Sequence, residues 1–129
     1  MLHHGLLNPQ LLSLLARIRH TNTLVIADSM FPSWPGLETV DLALVYGIPT
    51  LPQVVEAILA QWHCGTVRMA EEFKANNSAE VQAEFERAFG AVPIDYEPHL
   101  VLKGRVPAAI GLIRTGERRL YTNVILESA

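Results

Sequence analysis

The chain has 129 residues, 10 Lys plus Arg against 13 Asp plus Glu for a net charge of -3, one cysteine, and 50% hydrophobic residues. That length suits one compact domain able to bury a core without metal or disulfides, and the single cysteine, Cys64, excludes an intrachain disulfide framework and suits a reducing cytoplasm. The weakly acidic balance, with no basic run or stripe, excludes a nucleic-acid-binding field, and no apolar run reaches the ~20 residues of a membrane-spanning helix.

In chain order, Asn8 and Pro9 open a helix, the first as a side-chain cap and the second at the first helical position. Leu11, Leu14, Leu15 and Ile18 then recur on one face, and the helix is expected to end near His20. Residues 23–27 (TLVIA) form a short β-branched run of the kind buried on both faces of a sheet, closed by Asp28. A turn-rich loop follows over 29–36, in which Trp34 lies between two prolines and reads as packed rather than as a stacking platform. Residues 40–45 read as a second strand. Thr50 and Gln53 make a capping box ahead of a helical stripe of Leu51, Val54, Val55, Ile58, Leu59 and Trp62.

Residues 66–70 predict a strand, and 77–89 a helix with Val81, Phe85 and Phe89 inward and Gly90 as its stop. Residues 92–96 suit a short edge strand, and Pro98 opens one helical turn carrying His99 before Gly104. Two apolar strands, 108–114 and 120–126, are joined around Thr115-Gly116-Glu117 and predict an antiparallel hairpin. The class is therefore α/β: a three-layer αβα sandwich around a mostly parallel, mixed sheet with a late antiparallel hairpin, in a single domain over 1–129. Mean hydropathy of +0.22 is high for so small a domain and fits either apolar surface covered by copies of the same chain or simply an apolar core.

The polar groups that suit proton movement on a neutral polyol are His20, Asp28 and the segment Tyr121-Thr122-Asn123. Opening a hemiacetal needs one group to protonate the ring oxygen and another to take the anomeric hydroxyl proton. An imidazole with an ordinary pKa near 6.5 matches that task, and a carboxylate accepts hydrogen bonds from sugar hydroxyls. Asp28 also stands where a strand runs into a loop, the place at which open α/β sheets bind ligands. Taken singly, His20 reads more readily as a surface or capping residue than as a catalyst, and Asp28 reads equally as a turn former.

An extended chain from His20 to Asp28 would separate them by roughly 26 Å, at about 3.3 Å for each of eight residues. Either the chain bends or two subunits build the site, and the second is expected. His3-His4 and His63-Cys64 have no third ligand at metal-binding spacing. Glu71-Glu72 reads as a solvated strand edge rather than an acid/base pair, and no glycine pattern supports a phosphate or dinucleotide loop.

Six segments in order, residues 5–12 (GLLNPQLL), 17–28 (RIRHTNTLVIAD), 41–50 (DLALVYGIPT), 70–74 (AEEFK), 113–117 (IRTGE) and 121–126 (YTNVIL), resemble the D-ribose pyranase and fucose mutarotase family across nearly the whole chain. The resemblance implies a cytoplasmic isomerase acting on a free monosaccharide of the ribose or fucose class, without metal or cofactor. It also implies a homo-oligomeric, decameric ring with its sites at subunit junctions. His20 matches the family's proton donor; Asp28, Tyr121, Thr122 and Asn123 match its sugar-binding positions, and His99 the second sugar-contacting histidine of the ribose branch. Residues 29–32 (SMFP) and 117–119 (ERR) resemble the fucose branch, whereas 41–50 and His99 resemble the ribose branch. Interconversion of pyranose and furanose D-ribose is the leading expectation. Fucose anomer interconversion and a non-catalytic, transport-associated sugar-binding module are the alternatives.

Overall fold

The computed structural model describes residues 1–129. The helices start where side chains satisfy their first free N–H groups. Asn8 Oδ1 accepts from the Leu11 N–H at 2.9 Å and opens α1 (Pro9–Ala16), which buries Leu11 and Leu14. The capping box stands as expected at α2 (Leu51–Leu59): Thr50 Oγ1 accepts from the Gln53 N–H at 3.2 Å and Gln53 Oε1 from the Thr50 N–H at 2.9 Å.

The helix predicted over 77–89 is α4 (Ala79–Phe89), opened by Ser78, whose extended backbone and side chain cap it; a short helix that the sequence pattern did not predict, α3 (Glu72–Asn76), precedes it. This moves Glu72 off the strand edge on which the sequence pattern placed it. The remaining elements are strands β1 (Thr23–Ala27), β2 (Thr39–Asp41), β3 (Cys64–Ala70), β4 (Ile94–Glu97), β5 (Gly111–Arg114) and β6 (Val124–Ser128), with helix α5 (His99–Arg105) running into a 3₁₀ turn (Val106–Ala108).

All six strands form one sheet in the order β2-β5-β1-β6-β3-β4. β5 runs parallel to both β1 and β2, β4 runs parallel to β3, and β6 is antiparallel to its two neighbours. One apolar layer joins α1, α2 and α4 to the sheet through residues such as Leu14, Val55, Ile58, Phe85 and Phe89, and Phe73 of α3 joins it. On the opposite face Leu102 and Val106 pack with Phe31 over Val25, Leu112 and Ile125. The αβα arrangement expected from the alternating elements is therefore present.

Two expectations require correction. β5 and β6 do not pair as a hairpin: β1 lies between them, with Ile26 facing Ile113 on one side and Val124 on the other. β1 is buried from Leu24 to Ala27, and such an apolar run gains most by having a neighbour along both edges. The strand predicted over 40–45 stops at Asp41, and the chain beyond it folds back in a loop bridged between Val45 and Ile48, with Gly47 at φ +86°. β4 is an edge strand, as its short length suggests.

That loop is seated directly on Gly116. The Gly47 N–H donates to Gly116 O at 2.6 Å and the Gly116 N–H to Pro49 O at 2.8 Å. A Cβ at position 116 would stand 2.4 Å from Ile48 O and 2.6 Å from Val45 O, and backbone atoms yield little. Gly116→Ala is therefore expected to lower stability by about 2 kcal/mol and Tm by roughly 8 °C. Thermal unfolding followed by circular dichroism checks this, and a Tm within a degree of wild type contradicts it.

Candidate functional site

Because β1 separates β5 from β6, residues 115–123 must pass over its carboxyl end. Thr115 anchors the crossing: its N–H and its Oγ1 each donate to Ala27 O at 2.9 Å. Two residues on, Glu117 O accepts from the Ser29 N–H at 2.8 Å. The Glu117 carboxylate, 1% exposed, accepts from the main-chain N–H groups of Leu51 at 3.2 Å and of Arg118 and Arg119 at 3.0 Å. It also takes both Nε and Nη2 of Arg119, at 2.8 and 2.9 Å, while Arg119 Nη1 reaches Glu84 at 2.6 Å. Burial pushes the Glu117 carboxyl up, but the Arg119 guanidinium and the Arg119 and Leu51 N–H groups outweigh it and hold it below its ordinary value. From sequence Glu117 is only a turn residue: four of its five donors sit on Arg118 and Arg119, but its burial and the Leu51 N–H 66 residues away come only with the fold.

The crossing and the loop after β1 enclose an open cavity of about 290 Å³, lined by Asp28, Met30, Phe31, Pro32, His99, Lys103, Leu120, Tyr121 and Asn123. This is at the small end of ligand pockets. Asp28 and Asn123 lock together across it. Asn123 Oδ1 accepts from the Asp28 N–H at 2.7 Å, and its Nδ2 donates to Asp28 Oδ2 at 3.0 Å. A main-chain N–H can only donate, so the amide orientation is fixed. Asp28 Oδ1 accepts from the Met30 N–H at 2.9 Å. Each carboxylate oxygen thus keeps a lone pair for a ligand hydroxyl.

His99 begins α5, with its N–H donating to both carboxylate oxygens of Glu72, at 3.1 and 3.0 Å. A carboxylate at a helix N-terminus is favourable, and here it sets the position of the ring. His99 Nδ1 is buried without a hydrogen-bond partner, a deficit that marks sites where function outranks stability. Its ring meets Tyr121 edge-on, centroids 5.3 Å apart at 81°. Tyr121 holds φ +56°, a left-handed conformation that is uncommon without glycine and costs on the order of 1 kcal/mol. Neighbouring contacts impose it: Asn77 Nδ2 donates to Leu120 O at 2.9 Å, and Thr122 Oγ1 donates to Arg119 O at 3.0 Å.

Of the residues singled out from sequence, the structure gathers Asp28, His99, Tyr121 and Asn123 at one cavity. Thr122 is fully buried and faces away from the lining, its hydroxyl spent on the backbone of the crossing. His20 lies on the exposed turn before β1, at the opposite end of that strand from Asp28, with its Nδ1 against the main-chain oxygen of Ala129. The five residues of β1 alone span about 17 Å. Lys103, which the sequence reading missed, lines the cavity one helical turn after His99 and has no carboxylate partner. The i, i+4 spacing on a helix opened by Pro98 was the signal for it. Trp34 stacks on Phe31, centroids 6.0 Å apart, outside the lining.

The model of the RbsD / FucU transport protein family matches residues 1–129. D-ribose pyranase of Chromobacterium violaceum is 42% identical, over 99% of this chain and 97% of its own. D-ribose pyranase of Bacillus licheniformis is 40% identical over the same shares. Among solved structures, Bacillus subtilis RbsD complexed with D-ribose superposes with a TM-score of 0.91 at 34% identity, covering 100% of this chain and 98% of that one. Fucose mutarotase of Streptococcus pneumoniae in complex with L-fucose gives 0.80 at 20% identity, covering 95% and 92%, and shares the fold.

A carboxylate held below its ordinary value in the folded state stabilises fully above its unfolded pKa, here 4.5, and loses that contribution as pH falls through the folded value. Glu117→Gln is expected to cost about 3 kcal/mol at pH 7 by unbalancing the buried ion pair. It should also lose less stability than wild type between pH 5 and pH 3. Urea midpoints across that range test both, and parallel pH profiles for the two proteins would remove Glu117 from the acid response.

Proposed function

Because this chain belongs to the RbsD / FucU transport protein family, we propose that its cavity binds D-ribose and that the protein is an isomerase interconverting the pyranose and furanose forms of that sugar. The observation that carries the reading is the Asp28–Asn123 lock beside the unpartnered Nδ1 of His99, in a cavity that Lys103 also lines. Ribose rather than fucose is favoured by curated D-ribose pyranases at 36 to 42% identity over nearly their full length.

Ring opening removes the proton of the C1 hydroxyl as the bond from C1 to the ring oxygen breaks, and that oxygen gains a proton. The C4 hydroxyl then adds to the C1 carbonyl to close the furanose. Asp28 and Asn123 hold sugar hydroxyls, Tyr121 and His99 form one wall, Lys103 donates from α5, and His20 moves the proton. Thr122 serves by fixing the backbone between Tyr121 and Asn123.

His20 reaches such a sugar only from a second copy, since β1 holds it and Asp28 apart within one chain. Exposed Leu44, Val45, Tyr46 and Ile48 supply an apolar surface next to the cavity rim, where the Tyr46 hydroxyl meets Met30 Sδ at 3.3 Å. A ring of copies, decameric as the resemblance implies, would cover that surface and complete each site. A cytoplasmic location belongs to the same reading, supported by the lone buried Cys64. No helix is long and apolar enough to cross a membrane.

Ring-form exchange of ribose, followed by NMR, is expected to fall by about a hundredfold or more in His20→Ala while saturable binding persists. Binding without exchange in the wild type would instead identify a non-catalytic sugar-binding module. Two inactive variants, His20→Ala and Asp28→Asn, co-assembled in equal amounts should regain about a quarter of wild-type activity if neighbouring copies share each site. No recovery in verified mixed oligomers would place both residues in one subunit's site.

A further inference from the structure

His20 is an exposed side chain whose work as a proton carrier depends on which ring nitrogen bears hydrogen. Its Nδ1 lies at hydrogen-bond distance from the main-chain oxygen of Ala129, and its Nε2 has no protein partner. A main-chain oxygen only accepts, so the contact requires hydrogen on Nδ1 and leaves Nε2 as the nitrogen with a free lone pair in the neutral ring.

The oxygen is itself held from two sides. The Ala129 N–H donates to His63 O at 3.1 Å, the Ser128 N–H to Asn22 O at 2.9 Å, and the Thr21 N–H returns to Ser128 O at 3.2 Å. Gly65 leaves room for this packing: a Cβ there would come within 3.3 Å of Ala129 Cα. The turn bearing the imidazole is equally constrained. Thr21 holds φ +66°, and Asn22 Oδ1 accepts from the Arg19 N–H at 2.8 Å. A β-branched residue in that conformation persists only where its surroundings impose it.

We propose that the main-chain oxygen of Ala129 is the positioning partner of His20, fixing the Nδ1–H tautomer so that Nε2 is the nitrogen presented to the sugar. The inference rests on the catalytic reading of His20 and adds the atom and the tautomer. Ala129 acts through His20 and touches no substrate. The arrangement parallels the backbone carbonyls that orient working histidines elsewhere.

The test is long-range ¹H–¹⁵N NMR of the imidazoles at a pH where they are neutral, on the wild type, on a chain ending at Ser128, and on Ala129→Pro, which removes the N–H bonded to His63. Wild-type His20 is expected as the Nδ1–H tautomer. In both variants the signal should move toward Nε2–H, and kcat for ribose exchange should fall about tenfold with KM nearly unchanged. An Nε2–H tautomer in the wild type overturns the proposal, as does an unchanged kcat once the tautomer has shifted. The catalytic reading is judged separately by His20→Ala: full activity there removes that reading, whatever the NMR of the wild type records about the ring's partner.

Discussion

The insertion of β1 between β5 and β6 is the constraint on which the rest of this molecule turns. It buries the most apolar strand along both edges and obliges the connection from β5 to β6 to cross β1's carboxyl end. A connection lying there has to satisfy its own polar groups away from bulk water. Thr115 does so on Ala27, and Glu117 collects three main-chain N–H groups and a guanidinium. The same carboxylate draws in the N-terminus of α2 through Leu51, so sheet, helix and crossing share one anchor.

The cavity inherits its character from that anchor. With residues 115–119 fixed, the chain can sustain a left-handed Tyr121 and an unbonded buried nitrogen on His99, two unfavourable features placed side by side. Their cost is on the order of a few kcal/mol, which a rigid surround can bear. Asn123 is then delivered onto Asp28 with its amide orientation dictated by a backbone N–H. Glu72 does the corresponding service on the other wall by holding the first residue of α5. Rigid supports for a small polar cavity are what preorganised recognition of a neutral sugar requires.

β1 also separates the chain's polar groups into two sets. Its carboxyl end carries the cavity, and its amino end carries His20 with the turn and strand terminus that hold the ring. A strand cannot bend to bring its own ends together, so a reaction needing both sets calls for two copies. The apolar loop at 44–48 sits beside the cavity rim, where a neighbouring copy would cover it.

Much of this was legible in the chain. Helix starts at Asn8, Thr50 and Pro98 follow from side-chain and proline chemistry within four residues, and the run at 23–27 announces a strand buried on both faces. Asp28, His99, Tyr121 and Asn123 were picked out by residue type and by resemblance to a family. What local pattern could not contain was the pairing of the last two strands. A short connection reads as a hairpin unless a third strand intervenes, and that depends on contacts with residues about ninety positions earlier. Glu72 and Glu117 were missed for a related reason: the N–H that Glu72 holds lies 27 residues away, and Glu117, though most of its donors are its next two residues, is buried and joined to Leu51, 66 residues away, only in the fold. Propensity and capping act over a few residues and are written in the chain, whereas convergence of distant polar groups on one buried carboxylate exists only once the sheet has formed.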